Sequence, residues 1–293
     1  RTVVIGVRKD LSDFISPFEL FPDYQEEKTL REVIGNLPAL REFGEISTTD
    51  IYHAFRVYPE HMRSWITDLK EGESAFDQSD ISKVPHKVVD GEIVVNIRKN
   101  GDKYRRQYWD KVGPCIHTRN DQLASQNTIH PSDDRVFSIR ELMMMMTIPS
   151  SFKWTNIPEQ TLNSLSIEKK RAFLKKEEIK IRQCLGEAVP TAIFDSIAEK
   201  IAFFFSRQHL SDAEVKKLID TTDLGTLDSV ISYISANFDT VGISSISKVV
   251  EYANAKREHN AAFFTDKSIL NEIMKYLPDI DKDVVRILEP SVG

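Results

Sequence analysis

The chain has 293 residues, of which 41% are hydrophobic and 29% are charged, and its formal net charge is −6 at pH 7. This composition is typical of a globular chain with room for about two domains, and the lack of an apolar run of about twenty residues excludes a transmembrane helix. Two cysteines, Cys115 and Cys184, are too few for a disulfide framework, so we expect reduced thiols and a cytoplasmic location.

The first quarter of the chain predicts one strand and two helices. Residues 2–7 are apolar and β-branched with little alternation, as in a fully buried strand. Thr29 and Gly35 bound a short predicted helix, with threonine as its N-cap and glycine as its stop. The pattern over residues 52–69 is helical apart from Pro59.

The middle of the chain predicts hairpins followed by a capped helix. A strand pattern over residues 88–97 is broken by Asp90-Gly91, which predicts a β-hairpin, and Asn100-Gly101 predicts a second turn. Ser138 is placed to cap a helix that runs to about residue 146 and ends at Pro149.

Helical patterns dominate the remainder. Residues 166–180 predict a charged helix, and residues 189–205 predict an apolar helix that Pro190 can start. Residues 206–255 hold three short amphipathic stretches, which we interpret as a helical connector. A further helix over 268–277 and a strand over 284–288 are expected near the C-terminus.

Residues 98–119 form a basic segment in an otherwise acidic chain, with seven Lys or Arg against two Asp. A local basic patch that also contains aromatic residues is a better signal for nucleic acid than total charge. Its cations suit phosphate, and its aromatic rings suit sugar or base. On composition alone, a solvated hairpin face is the competing interpretation. The candidate DNA-binding residues are Arg98, Lys99, Lys103, Tyr104, Arg105, Arg106, Lys111 and Arg119.

Three separated segments resemble one enzyme family. They are RTVVIGVRKDL at 1–11, RVFSIRELMMMMTIPSSFKW at 135–154 and IRQCLGEAVPTAIFDSIAEKI at 181–201. In this order, and with a variable stretch between the first two, they resemble blocks eight, nine and ten of bacterial DNA cytosine-5 methyltransferases. The resemblance covers residues 1–205 and implies that the variable stretch is the target-recognition region.

This resemblance implies roles for individual residues. Arg1 falls on the second arginine of the family's QxRxR pattern, beside the flipped base, where a guanidinium can stabilise charge on the ring; it is the candidate catalytic residue. The candidate cofactor-binding residues match the family's GNAV turn against S-adenosyl-L-methionine, although a plain loop-to-helix junction is an alternative, and glutamate replaces the usual asparagine. They are Gly186, Glu187, Ala188 and Val189.

Two further features of this region are interpreted structurally. Pro114-Cys115 has the form of the family's nucleophile, but it lies downstream of block eight, so we do not expect a nucleophile there. Arg140 and Glu141 of block nine are interpreted as an ion pair that orients the recognition region. Because the family's thiolate block is not found in the sequence, we expect this chain to be inactive by itself.

A second resemblance lies at the C-terminus. KREHNAAFFTDKSILNEIMKYL at 256–277, followed by RILEPSVG at 286–293, resembles the opening of DNA adenine-N6 methyltransferases, although LEP-x-x-G loops occur in other methyltransferases. The resemblance implies further contacts with S-adenosyl-L-methionine. The residues implied are Phe263, Phe264, Thr265, Glu289, Pro290, Ser291 and Gly293.

These observations predict an α+β fold in which a small β-containing recognition lobe joins a strand and helices of an α/β methyltransferase sheet. The expected divisions are the end of the cytosine-5 catalytic sheet, the recognition domain, the return to the catalytic domain, the helical connector and the start of the adenine-N6 domain. Their bounds are 1–10, 11–134, 135–205, 206–255 and 256–293.

The function implied is that of part of a restriction–modification DNA methyltransferase that uses S-adenosyl-L-methionine to methylate cytosine C5, and adenine N6 through the fused unit. The expected partners are double-stranded DNA with a flipped base and a cognate restriction system, with no membrane and no metal. The alternative is a non-catalytic DNA-specificity module that works with a separate catalytic chain.

Overall fold

The computed structural model of the chain describes residues 3–9, 11, 15, 17–96 and 100–257. Helices and one small antiparallel sheet coexist in it, which confirms the α+β class. The helix over 268–277 and the strand over 284–288 lie outside the described residues. In chain order the elements are α1 (Leu30–Ile34), β1 (His86–Val89), β2 (Glu92–Val95), α2 (Ile139–Met145), α3 (Glu159–Asn163), α4 (Ile167–Glu187), α5 (Thr191–Phe205), α6 (Asp212–Thr221), α7 (Leu227–Asn237) and α8 (Ile243–Arg257).

The described residues divide into two compact units. The larger unit contains residues 3–6 and those from Pro17 to Phe203, and the helical unit contains the described residues of 7–15 and those from Phe204 to Arg257. Within the described part of the chain, no helix combines the length and the apolar character that a membrane span requires.

Two hydrophobic clusters hold the larger unit together. The first joins α1, α2 and α4 through side chains that include Ile34, Met143 and Leu185, each buried to 1% exposure or less. The second is built from loops, with Trp65 and Ile129 among its buried members. Much of this unit is therefore stabilised by packing between irregular segments, and the basic segment lies among them.

The N-terminal segment does not form the expected buried strand. Residues 3–8 have no regular secondary structure, and Val3 and Val4 are 37% and 89% exposed. A buried strand needs neighbouring strands for its backbone groups. The one sheet among the described residues is the β1–β2 hairpin, so this segment has no strand beside it there, and Val3 and Val4 are exposed.

The helix expected over residues 52–69 is also absent. That segment is a series of bends and turns with a single 3-10 turn at Glu60–Met62, and Ala54 instead pairs with Ile46 in an isolated bridge. Most of its apolar residues are nevertheless buried, among them Phe55 and Ile66, although Val57 is exposed. The helix-like spacing therefore comes from loops whose apolar side chains pack into the two clusters.

Local start, stop and turn signals are confirmed. Thr29 caps α1 and Ser138 caps α2, each in a capping box with the glutamate three residues later. Asp90 and Gly91 form the hairpin turn with φ of 51° and 83°. The charged helix α4 begins after Ser166 as expected, but it continues seven residues beyond residue 180, to Glu187.

The helical unit has its own apolar core, formed by α6, α7 and α8 around residues that include Val215, Val230 and Val249. Ser211 caps α6 in a further capping box. Lys248 bonds Asp212 and Lys256 bonds Asp220, both pairs 36 residues apart. The constant offset means that α6 and α8 run parallel.

Candidate nucleic-acid interface

The described part of the basic segment lies between two other loops. Ser74 bridges Arg105 on one side, while Lys103 bridges Gln126 on the other. The backbone between the bridges is not a regular strand, because Tyr104 has φ of 50°. Lys103 is exposed, Tyr104 buried, Arg105 half-buried and Arg106 buried. This alternation separates the candidate DNA-binding residues into two groups.

Arg106 belongs inside the protein, so its expected role as a phosphate ligand is corrected. Its side chain is 4% exposed and lies 2.5 Å from a carboxylate oxygen of Asp134. The guanidinium also donates to the carbonyl oxygen of Ile66 at 2.8 Å and to those of His130 and Asp133, each at 3.2 Å. Those partners use the donors that a phosphate would need.

Tyr104 is corrected for the same reason. It is 8% exposed, and its ring packs edge-on against Trp65 and Phe76 at centroid distances of 5.7 and 5.8 Å. Burial raises the pKa of its hydroxyl. The residue anchors the basic segment in the second cluster, and its ring does not lie at the surface where a base could stack.

The remaining described cations of the segment reach solvent. Lys103, Lys111 and Arg119 are exposed, and Arg105 is half-buried with its guanidinium donating to the carbonyl oxygen of Gly72 at 2.8 Å. The Lys111 ammonium lies 3.7 Å from the ring centroid of Tyr108. These four residues are the described members of the candidate set that remain suited to phosphate contact.

A clamp from α1 holds the segment that carries Lys111. Arg31 makes two hydrogen bonds to the Asp110 carboxylate, at 2.6 and 3.0 Å, and its guanidinium lies 5.5 Å from the Trp109 ring centroid. The backbone N–H of Leu30 donates to the carbonyl of Lys111 at 2.9 Å. The sequence interpretation did not include Arg31, because no local pattern connects it with residues 109–111.

A glycine makes room beside this clamp. Gly72 has φ of 82°, and a Cβ atom there would lie 1.9 Å from the Tyr108 hydroxyl. Any other residue would have to displace the tyrosine ring on which Lys111 rests. The exposed Lys111 therefore lies in a segment that its neighbours hold in place.

Block nine forms buried ion pairs, but not the expected one. Arg140 and Glu141 do not pair with each other: Arg140 lies 2.5 Å from both Asp50 and Glu159. Glu141 accepts two hydrogen bonds from Arg135, both of 2.7 Å, and both side chains are 1% exposed. Adjacent helical residues point about 100° apart, so each reaches a different part of the unit.

The electrostatics of this network follow from its burial. Burial by itself would raise the pKa of Glu141, but the charge and hydrogen bonds of Arg135 outweigh it and hold that pKa well below its usual range. Burial lowers the pKa of His130, 3.5 Å from Glu141, to about 4. The network ties residues 130–135 to α2 directly beneath the basic segment.

The expected GNAV-like turn is part of a helix. Gly186 and Glu187 form the last turn of α4, and Ala188 is its C-cap. A Cβ atom at Gly186 would lie 2.4 to 2.5 Å from backbone atoms of His117 and Thr118. The close approach that this glycine permits is therefore between α4 and a neighbouring backbone segment.

A groove of about 330 Å³ lies next to this junction. Of the four cofactor candidates there, Val189 is the one that lines it, together with mostly apolar side chains. The exposed thiol of Cys115 is on its wall. Other lining residues include Val3, Ile116, Met145, Met146 and Ile193.

Several candidate residues cannot be placed in this geometry. Their roles remain predictions from sequence. Outside the described residues lie Arg1, Arg98, Lys99, Phe263, Phe264, Thr265, Glu289, Pro290, Ser291 and Gly293.

The chain belongs to the C-5 cytosine-specific DNA methylase family, whose model matches residues 1–202. It is 31% identical over 189 residues to the Type II methyltransferase M1.HgaI of Avibacterium volantium, a match covering 61% of this chain and 46% of the relative. It is 26% identical over 209 residues to the Type II methylase M.HgiDII of Herpetosiphon aurantiacus, covering 71% and 52%. The chain spans about half the length of these curated relatives. The expected membership in the cytosine-5 family is confirmed.

Proposed function

We propose that this chain supplies the DNA target-recognition part of a Type II restriction–modification methyltransferase, which acts in the cytoplasm beside a cognate restriction system. The observation that carries the proposal is the alternation along the basic segment within a member of this family. Tyr104 and Arg106 anchor the segment in the core, while Lys103, Lys111 and Arg119 face solvent.

Such an arrangement suits DNA because phosphate contacts fix the position of a protein on a duplex, while a few other side chains read the bases. Carbon 5 of cytosine is inaccessible within the stack, so the target base must leave the helix. A rigid lobe that binds the opened duplex keeps the protein and the DNA in a fixed relative position. We propose double-stranded DNA with one flipped base as the substrate of the parent enzyme.

We further propose that the groove beside Val189 forms one wall of the S-adenosyl-L-methionine site. Enzymes of this family take their methyl group from that cofactor. The apolar lining of the groove, including Met146 and Ile193, fits the less polar parts of such a ligand. Gly186 is left out of this site, because its Cβ position faces the backbone of residues 117–118.

The fused adenine-N6 unit is a separate proposal. It rests on the sequence resemblance of residues 256–277 and 286–293, which follow the range matched by the cytosine-5 family. The divisions at 1–10, 11–134, 135–205, 206–255 and 256–293 belong to the same proposal. On this view the parent protein modifies both cytosine and adenine.

The salt dependence of DNA binding tests the recognition role. The purified chain should bind duplex DNA, and the logarithm of its association constant should fall linearly with the logarithm of the salt concentration. The reason is that phosphate contacts release counterions from the DNA. Replacing Lys111 and Arg119 together by alanine should lower the slope by about 1.8, since each phosphate that is no longer neutralised accounts for about 0.9. Fluorescence anisotropy of a labelled duplex would measure both slopes.

Lys217→Ala is the matched control, since Lys217 is an exposed cation on α6 in the helical unit. It should leave the slope as in the wild-type chain. If the wild-type chain shows no binding to DNA at low salt, the recognition role is rejected.

A further inference from the structure

A second groove in the larger unit lies between residues 44–57 and helix α4. Its volume is about 400 Å³. Buried apolar side chains, among them Phe55 and Leu174, form its floor. Val57 and Ile179 on its walls remain 61% and 40% exposed. The groove is therefore a preformed surface with accessible apolar contacts.

Cations lie beside this apolar floor. Arg171 and Lys175 line the groove and are exposed, one helical turn apart on α4. Residues at that spacing have their Cβ atoms about 5 to 6 Å apart on the same side of a helix. Arg56 also lines the groove, and it donates to Glu178 at 2.7 Å. Two long, exposed cationic side chains thus project from one rim.

Ion pairs connect the groove with the basic segment. Arg119 lies 3.7 Å from Asp121, and Asp121 lies 3.6 Å from Arg56. Glu178 joins Arg56 to Arg182, with N–O distances of 2.7 and 2.9 Å. A chain of ion pairs therefore connects Arg119, at the end of the basic segment, with Arg56 in the groove.

The charge balance of the groove is opposite to that of the whole chain. Its lining holds three cations and one carboxylate, in a chain of net charge −6. The cations are Arg56, Arg171 and Lys175, and the carboxylate is Glu178. The excess of two positive charges favours a polyanion at this face.

We propose that this groove is a second site for the DNA backbone, an inference that rests on the DNA-binding function proposed above. Phosphates of the duplex bind Arg171 and Lys175, and sugar packs on Val57. DNA fits better than an acidic protein segment because the cations continue from Arg119, at the end of the basic segment. The site contacts phosphate and sugar, so it adds affinity on every sequence and no specificity.

The first test compares two double variants of α4. Arg171→Ala with Lys175→Ala should lower the salt slope of DNA binding by about 1.8, because two phosphates are no longer neutralised. Lys169→Ala with Lys176→Ala is the matched control: both are exposed lysines of the same helix that do not line the groove. The control should keep the wild-type slope, and thermal unfolding should show that both variants are folded.

The outcomes separate this inference from the recognition role. If the wild-type chain binds DNA, and Arg171→Ala with Lys175→Ala changes the slope no more than the control does, the second site is wrong and the recognition role stands. If the wild-type chain does not bind DNA, both are wrong.

The second test locates DNA directly. A photo-crosslinking amino acid in place of Val57 should crosslink a bound labelled duplex, whereas the same group in place of Ile157, which is 45% exposed and does not line the groove, should not. Equal or absent crosslinking at position 57 overturns the proposal. An acidic protein segment as the true occupant would give that result together with an unchanged slope.

Discussion

At the scale of single residues, charge in this protein has two separate uses. Arg106, Arg135 and Glu141 are buried and form ion pairs with protein groups, whereas Lys103 and Lys111 face solvent. The buried ions position loops that have little regular structure. The exposed ions are free of that task and remain suited to a polyanion.

Removing the charge of Glu141 should destabilise the larger unit strongly. Glu141→Gln leaves the Arg135 guanidinium buried without its main counter-charge, which costs about 3 to 5 kcal/mol for a buried pair. Urea denaturation followed by tryptophan fluorescence would measure the change. Glu60→Gln is the comparison, because Glu60 pairs with Arg63 at the surface and its side chain is 81% exposed. It should lower the free energy of unfolding by less than about 1 kcal/mol. A similar small loss for both variants would contradict the structural role of the network.

At the scale of elements, helix starts follow from sequence because capping is local. Thr29 and Ser138 each accept a hydrogen bond from the backbone N–H of the glutamate three residues on. The two caps differ in burial: Ser138 is fully buried, and its hydroxyl also lies 3.0 Å from a ring nitrogen of His53. The same motif is thus embedded in very different surroundings.

This difference predicts unequal costs for one substitution. Thr29→Ala should lower the free energy of unfolding by about 1 kcal/mol, the usual value of a cap. Ser138→Ala should cost about 1 to 3 kcal/mol more, because the buried His53 nitrogen loses its partner. Urea denaturation of both variants checks the comparison. Equal losses would mean that the His53 contact adds nothing to the cap.

At the scale of the whole molecule, the family match and the larger unit nearly coincide. The match ends at residue 202, and the larger unit ends at Phe203. The helical unit beyond it has a separate apolar core around Val215 and Val249. The part of the chain that belongs to the cytosine-5 family is therefore also the part that carries both grooves and the basic segment.

We expect the purified 293-residue chain to transfer no methyl groups to DNA. Its one Pro-Cys pair ends in Cys115, which lies within the recognition segment and not ahead of block eight, where the family's nucleophile lies. Incorporation of labelled methyl from S-adenosyl-L-methionine into DNA measures the activity. Cys115→Ser should leave DNA affinity unchanged. Transfer by the wild-type chain that disappears in this variant would assign the thiol a catalytic role.

The sequence by itself determined the family, the α+β class, the hairpin turn at Asp90-Gly91 and the helix caps. These follow from block order or from interactions within a few residues, where backbone sterics and one hydrogen bond decide the outcome. The basic segment was also visible, since composition does not depend on the fold.

Only the tertiary structure decided which cations face solvent. Arg106 pairs with Asp134, 28 residues away, and Arg140 pairs with Asp50, 90 residues away. The tertiary structure also decided that residues 52–69, whose apolar spacing predicts a helix, form loops. Burial of a charged side chain depends on whether distant segments bring it a counter-charge, because desolvation is otherwise too costly. No local pattern contains that information.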